Sequence, residues 1–361
     1  MTYKSGFQIG SKIIDIAEKP YFIADIAANH DGDIERAKDL IYLAKSSGAD
    51  CAKFQHFKAD SIVSDIGFSS LDNSKMSHQA SWKKSVAEIY DQYHTKREWN
   101  DVLIETCKDA DIEFMTTPYD IDAMDGILDS VNAIKIGSGD ITYTPFIKKI
   151  SKLGKPILLA TGASNIEETI TAVTNILEEN LSVCLMQCNT NYTGSSDNFN
   201  FVNLNVLRCF SVLYPNMPLG FSDHTSGHSA VLGAIALGAR VIEKHFTDDN
   251  ARIGPDHNFA LNPQSWRAMV DASQELWAAL GDGVKRVEDN ELDTVVIQRR
   301  AIRLVGDRPA GHLLSEEDLD FLRPCPTDAL TPDEIDACLG KKLKTGLKAG
   351  NHLSRAILDN A

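Results

Sequence analysis

Two short strings near the middle of the chain each end an apolar run with an imidazole: Phe221-Ser222-Asp223-His224-Thr225 and Ile242-Glu243-Lys244-His245-Phe246-Thr247. Side chains two apart on a strand share a face, so Ser222 would project with His224, and Glu243 with His245, into whatever the two strands enclose. Two imidazoles at one level on neighbouring strands suit a divalent ion that keeps positions open for water and substrate and acts as a Lewis acid. On this pattern Mn, Fe, Co, Zn and Mg all remain open. Glu243 would then orient a ligand or a substrate hydroxyl.

Charged residues elsewhere interrupt apolar strands in the same way. In Asp50-Cys51-Ala52-Lys53-Phe54-Gln55, residues Cys51, Lys53 and Gln55 share one face. Lys135 breaks a second apolar strand and precedes Gly137-Ser138-Gly139, a turn whose backbone N–H groups can approach an anion. With Thr116-Thr117-Pro118 at another strand end, these residues read as a phosphate and carboxylate cradle; the plainer alternative is that each lysine is an ion-paired filler of the interior. Asp25, Asp140 and Asp256 close strands or follow them. Each could cap a helix, but around one mouth they read as base, acid and acceptors of substrate hydroxyls.

Eight strand candidates, 21–26, 51–55, 112–117, 132–136, 156–161, 182–188, 218–222 and 240–245, carry these residues. Helical patterns such as Asp33–Ser46, Asn165–Leu177 and Ser226–Leu237 follow them. Eight β/α units with chemistry at the carboxyl ends of the strands is the pattern of an α/β (β/α)8 TIM barrel. Residues 1–20 read as a hairpin extension plugging one barrel end. An excursion over roughly 58–100, with Trp82, Tyr90, Tyr93 and Trp99, is expected to form a lid or to pack over the barrel mouth. The barrel pattern ends after the helix Pro263–Leu280, at Gly281-Asp282-Gly283. The expected division is a barrel over 1–284, a linker over 285–293 and a small domain over 294–361. The last carries two short helices opening at Ser315 and Thr331 and is too small to bury much surface alone, so it should lean on another surface.

Composition narrows the function. With 36 Lys and Arg against 51 Asp and Glu, the formal charge is −15, which argues against nucleic-acid or anionic-membrane partners. An anionic substrate must then be met locally by the few inward cations. The amino-terminal stretch lacks the apolar segment of a signal peptide and no run approaches a membrane span, so a cytoplasmic location is expected. The seven cysteines show no metal-ligand spacing and are expected to be reduced core residues.

These residues resemble the sialic acid (N-acetylneuraminate) synthases and the related synthases of legionaminic and pseudaminic acids. The resemblance is carried by Ala28-Asn29-His30-Asp31-Gly32, Lys53-Phe54-Gln55, Lys135-Ile136-Gly137-Ser138-Gly139, the two histidine strings and Gly254-Pro255-Asp256-His257, in the family's order. The carboxyl-terminal stretch, with Arg299-Arg300-Ala301-Ile302 and Leu322-Arg323-Pro324, is similar to the family's antifreeze-like domain. What the resemblance implies is condensation of phosphoenolpyruvate with an open-chain N-acylated hexosamine, giving a nonulosonic acid and phosphate. It also implies a divalent metal, Mn2+ or Mg2+, on His224 and His245. Lys53, Thr117, Lys135, Ser138 and Ser222 match positions that hold phosphoenolpyruvate; Gln55, Tyr192 and Asp256 match sugar-contacting positions. Arg323 matches an arginine that reaches the site from the partner subunit of a domain-swapped homodimer.

Some positions depart from the family. Asp25 and Asp140 stand where it usually has Glu, the former being the implied activator of the water that attacks C2. Leu159-Ala160-Thr161-Gly162 lacks a serine that relatives often place before the threonine, and Cys188-Asn189-Thr190-Asn191-Tyr192 also differs. Two rival readings stay open at this point: a metal-dependent hydrolase on the same barrel, and a non-catalytic carbohydrate-binding protein.

Overall fold

The computed structural model describes residues 2–71, 82 and 84–359. They divide into two compact units, one ending at Gly281 and one beginning at Asp282.

The first unit opens with an antiparallel hairpin, β1 (Gly6–Ile9) and β2 (Lys12–Asp15). Eight parallel strands follow: β3 (Tyr21–Asp25), β4 (Cys51–His56), β5 (Glu113–Pro118), β6 (Ile134–Ile136), β7 (Ile157–Ala160), β8 (Val183–Cys188), β9 (Leu219–Asp223) and β10 (Ala239–His245). They close into a barrel in chain order, with β10 pairing β3. This is the (β/α)8 architecture expected, with strand bounds within about two residues of the sequence reading.

Alternation along the strands builds two cores. Outward residues such as Phe22, Ala24, Ala52, Phe54, Phe114 and Phe221 pack beneath the helices around Trp266, which is fully buried. Inward residues at the amino ends, among them Tyr21, Ile23, Cys51, Met115, Leu158 and Met186, meet Phe7, Ile9 and Ile14 of the hairpin. The hairpin thus seals the bottom of the barrel with apolar side chains, and the polar inward residues are left to the top.

Helix starts follow their capping residues. Asp33 accepts the Glu35 and Arg36 N–H groups at the head of Ile34–Ser46, Asn165 forms a capping box with Glu168, and Asn262 does so with Ser265. The helix expected from Ser226 begins only at Ser229, because Gly227 takes φ +65° and keeps the preceding turn out of the helix. Part of the 58–100 excursion, residues 72–81 and 83, lies outside the described residues. The remainder is more helical than a lid loop, with helices Ala59–Ile62, Asp65–Ser69 and Val86–Tyr93.

The second unit pairs β11 (Ala301–Leu304) with β12 (Leu319–Leu322) around a core of Ile302, Leu304, Leu314, Leu330, Leu343, Leu353 and Leu358. The stretch 285–293, expected as linker, lies inside this unit and runs into the helix Leu292–Gln298. The two helices expected at Ser315 and Thr331 are short 3-10 stretches, one turn over Glu316–Asp318 and six residues kinked at Glu334 over Pro332–Ala337. Their capping boxes form, with Asp318 and Glu334, but too few residues follow to propagate a helix. Among the described residues no helix is long and apolar enough to cross a membrane, and all seven cysteines are free.

Candidate active site

The top layer of the barrel interior is a ring of paired charges. Asp25, on β3, stands in register with Lys53 of β4 on one side and His245 of β10 on the other. Lys53 Nζ lies 2.8 Å from Asp25 Oδ2, donates to Thr117 Oγ1 at 3.0 Å and is 4.0 Å from Glu243 Oε1. Lys135 Nζ donates to Glu243 Oε1 at 2.8 Å, and Ser222 Oγ donates to the same oxygen at 3.2 Å. Both lysines are about 98% buried. Each inward lysine therefore has a carboxylate partner, the arrangement foreseen for barrel fillers, and anion binding must compete with that pairing.

Burial and pairing pull these groups in opposite directions. Burial opposes ionisation of Asp25, but the Lys53 ammonium, with a bond from Gln55 Nε2 at 3.0 Å, outweighs it and holds the carboxyl below the usual range. Burial likewise disfavours the Lys53 ammonium, and Asp25 and Glu243 overcome it, raising its pKa.

The two histidines sit side by side above this layer, ring centroids 5.4 Å apart. His224 follows the end of β9, and its Nδ1 is 2.8 Å from the Asn189 carbonyl, which fixes the Nδ1–H tautomer and leaves the Nε2 lone pair free to ligate. Burial pushes His245 down to about 3, so its ring is neutral at pH 7, and its Nδ1 is buried without a hydrogen-bond partner. Burial opposes a charge on His224, but Cys188 and the Asn189 carbonyl outweigh it and raise its pKa, so a divalent ion there would displace a proton from Nε2; with that proton gone, the two imidazoles fit such an ion. Among the described residues no group of three or more His, Cys, Asp or Glu is arranged to hold a metal. The pair would therefore be a two-ligand site completed by water and substrate.

Three more expected residues line the approach. A cavity of about 160 Å³ is bounded by Gln55, His245 and Asp256 on its polar side and by Phe57, Ile62, Tyr90, Tyr119 and Tyr192 among its apolar and aromatic walls. Tyr192 packs on His224 at 4.4 Å between ring centroids. Asp256 Oδ2 lies 3.6 Å from His245 Nδ1 and accepts the Ala28 N–H at 3.3 Å. Burial, then Asp25, push its carboxyl up to about 6.

Ser138 and Asp140 occupy the 3-10 turn after β6. Ser138 Oγ accepts the Gly162 N–H at 2.9 Å, a contact possible because position 162 is glycine: a Cβ there would stand 2.5 Å from Thr190 and 2.9 Å from Ser138 Oγ. Burial raises Asp140 to about 6, and its Oδ2 has no hydrogen-bond partner. Arg323 belongs to the second unit, is exposed and makes no ion pair among the described residues.

The sequence reading missed several residues that shape the site. Tyr119 and Phe259 wall it, the latter 4.9 Å from His245 between centroids. Cys188 Sγ lies 3.9 Å from His224 Nδ1. Tyr119 had a usable signal, since it follows Thr117-Pro118 at a strand end; Phe259 had none.

With a (β/α)8 barrel and this charge pattern in place, the comparisons with known proteins decide the family. The NeuB family is matched over residues 40–285. The chain belongs to the NeuB family. It is 34% identical to N,N'-diacetyllegionaminic acid synthase of Legionella pneumophila, over 92% of this chain and 93% of that one. It is 31% identical to pseudaminic acid synthase of Campylobacter jejuni, over 96% and 98% of the two chains. The crystal structure of N-acetylneuraminic acid synthetase from Leptospira borgpetersenii superposes with a TM-score of 0.71 at 23% identity, covering 81% of this NeuB-family chain and 96% of the other. That likeness is one of fold.

Proposed function

We propose that this NeuB-family chain condenses phosphoenolpyruvate with an open-chain N-acylated hexosamine, N-acetylmannosamine or a diacetamido-dideoxyhexose, to give a nonulosonic acid and phosphate. The observation that carries the reading is the buried lysine layer, Lys53 and Lys135 against Asp25 and Glu243, directly beneath two neutralisable imidazoles. The metal-dependent hydrolase reading leaves these two buried cations unexplained, whereas a substrate bearing a phosphate and a carboxylate gives each of them an anionic partner.

In the reaction, C3 of the enol forms a carbon–carbon bond to the sugar aldehyde carbon and the aldehyde oxygen takes a proton. Water then adds at C2 and phosphate leaves. Lys53, Lys135, Ser138, Thr117 and Ser222 hold the anion, while Gln55, Tyr192 and Asp256 face the sugar. Asp25 takes the proton of the attacking water, and Asp140 and Glu243 orient substrate oxygens. A divalent ion, Mn2+ or Mg2+, held by His224 and His245 would supply Lewis-acid polarisation of the aldehyde.

The reading extends to assembly. The stretch 294–361 acts as an antifreeze-like domain, and Arg323 serves the barrel of a partner in a domain-swapped homodimer. The support is an exposed arginine without an ion pair on a unit with a small core of its own.

The test is phosphate release from phosphoenolpyruvate with a panel of hexosamines, the products read by mass spectrometry. Sugar-dependent release with a matching nonulosonic mass is expected. A protein that hydrolyses a substrate without consuming phosphoenolpyruvate, or that binds sugar and releases nothing, would overturn the assignment.

A further inference from the structure

Two sequence motifs that the reaction leaves largely unused, Ala28-Asn29-His30-Asp31-Gly32 after β3 and Gly254-Pro255-Asp256-His257 after β10, interlock through a polar network. The Asp31 carboxylate meets His257 Nε2 at 2.9 Å and accepts from Arg252 Nε at 3.0 Å and Nη2 at 2.8 Å, with Arg36 Nε at 3.2 Å. Burial opposes its ionisation, but the His257 and Arg252 bonds hold it below the usual range. His257 is fully buried, and its Nδ1 lies 2.7 Å from Thr247 Oγ1. With Nε2 on the Asp31 carboxylate and Nδ1 on the Thr247 hydroxyl, the ring is held at both nitrogens.

The chain geometry is fitted to this contact. A Cβ at Gly254 would stand 2.6 Å from His257 Cδ2 and 3.3 Å from Asp31 Oδ1, so glycine is what allows the loop to close on the pair. Arg36 extends the brace: it donates to the Asn29 carbonyl at 2.7 Å and grips Asp248 with both terminal nitrogens, at 2.6 and 2.5 Å. Asn29 Nδ2 donates back to the Phe246 carbonyl at 2.9 Å. Asp256 lies between the Gly254–Pro255 contact and the anchored His257. Its own carboxylate takes the Ala28 N–H from the opposite motif.

We infer that Asp31 and His257 are positioning residues that hold the Asp256 carboxylate at the sugar end of the cavity, and so govern amino-sugar binding without governing phosphoenolpyruvate binding. The inference rests on the two-substrate reading above. Its basis is that Asp256 lines the cavity with Gln55 and His245, whereas Asp31 and His257 do not. None of the bonds of the network goes to Lys53, Lys135, Ser138 or Glu243. Loss of the brace therefore tilts one half of the site and leaves the anion half in place.

The experiment separates the two substrates. In the full-length protein, KM and kcat are measured for each substrate, and phosphoenolpyruvate affinity by calorimetry, in Asp31→Ala, His257→Leu, His257→Gln and Gly254→Ala. Asp31→Ala and His257→Leu should raise the sugar KM by about tenfold to a hundredfold, the scale of an ångström-level misplacement. Phosphoenolpyruvate affinity should stay within about twofold. His257→Gln, which keeps an N–H donor where Nε2 stands, should recover most of the loss. Gly254→Ala should reproduce the defect without touching any charge, which keeps the test intact should Asp31→Ala fail to fold. An unchanged sugar KM in folded variants, or equal losses for both substrates, would overturn the positioning role while the parent still turns over. A parent that releases phosphate with none of the sugars would overturn the reaction assignment and this inference with it.

Discussion

Lys53→Met removes a buried charge and keeps the stem volume, and its effect has two parts that the structure separates. The substrate part is a charge-assisted hydrogen bond to phosphoenolpyruvate, worth about 1.5–3 kcal/mol. At 1.36 kcal/mol per decade this is a rise of roughly 13- to 160-fold in its dissociation constant. The folding part comes from Asp25, which would lose its 2.8 Å partner while staying 1% exposed, keeping only the Gln55 donor at 3.0 Å. Breaking a buried pair by removing one member costs about 3–5 kcal/mol. The sequence alone gave no reason to expect that cost, because Asp25 was not visible as the partner. Denaturation followed by tryptophan fluorescence reports it cleanly, since Trp82, Trp99, Trp266 and Trp277 all lie in the barrel unit. The double variant Lys53→Met with Asp25→Asn has no orphaned charge. It should regain most of the stability and none of the phosphoenolpyruvate affinity, which calorimetry would show directly. A double variant that regains both, or a single variant with unchanged affinity, would mean that Lys53 fills the barrel and binds nothing.

Further outcomes follow from the same geometry. His224→Ala or His245→Ala should abolish both Mn2+ binding, read by calorimetry, and turnover, because a two-ligand site cannot spare one; near-normal, chelator-resistant activity would remove the metal assignment. Mixing inactive Arg323→Ala with inactive His224→Ala after dissociation and reassociation should restore activity, since a site drawing Arg323 and His224 from different chains is whole in half of each mixed dimer. Mixed dimers without activity would place the arginine in its own subunit. Asp140 is raised to about 6 by burial, so its folded form prefers the proton and its contribution to stability is present in acid and lost as pH rises through 6. Asp140→Asn should therefore raise the melting temperature at pH 8 and leave it nearly unchanged at pH 4; equal shifts at both would refute the burial argument. Asp25→Asn should lower kcat by at least a hundredfold, in line with loss of a general base, with phosphoenolpyruvate binding retained; a kcat within about threefold would move the base role to another carboxylate.

The eight strands were legible because each is a short apolar run ended by a polar residue and followed by a helical period, a strictly local signal. Lys53, Lys135, His224 and His245 were legible for the related reason that charge in an apolar strand is costly and needs a partner. The partners were not legible. Lys135 meets Glu243 across 108 residues of sequence, and no local pattern records which carboxylate a closed barrel brings opposite which lysine. The same limit hid Phe259, whose apolar ring looks like any core residue until the barrel mouth is assembled, whereas Tyr119 could have been read from its place just after the strand end at Thr117-Pro118. In the second unit the capping boxes at Ser315 and Thr331 were read correctly as helix starts. Their propagation depends on how many residues follow before the chain must turn, and this the caps do not encode.

The pairing of Asp25 with Lys53 raises a difficulty for a base at this position and also contains its resolution. A carboxylate held below the usual range by an ammonium 2.8 Å away is a poor proton acceptor at neutral pH, whereas Asp256 and Asp140, raised to about 6, are better matched to such work. Yet the depression of Asp25 has its source largely in Lys53, the group proposed to bind the anionic substrate. When phosphoenolpyruvate takes the Lys53 ammonium into its own field, Asp25 loses much of that stabilisation while remaining buried, and burial alone drives a carboxyl upward. Its Oδ1, which has no hydrogen-bond partner, is then free to accept a proton from water. The first substrate would thus create the basicity that the later water attack at C2 requires, and an uncomplexed site would keep the carboxylate quiescent. Side-chain length matters here as much as charge. Asp25 is one methylene shorter than the glutamate that the resemblance implies here, and its register places it between Lys53 and His245 on adjacent strands. The shorter side chain keeps Oδ2 within a direct bond of the lysine, so what is lost in reach toward C2 must be made up by one bridging water.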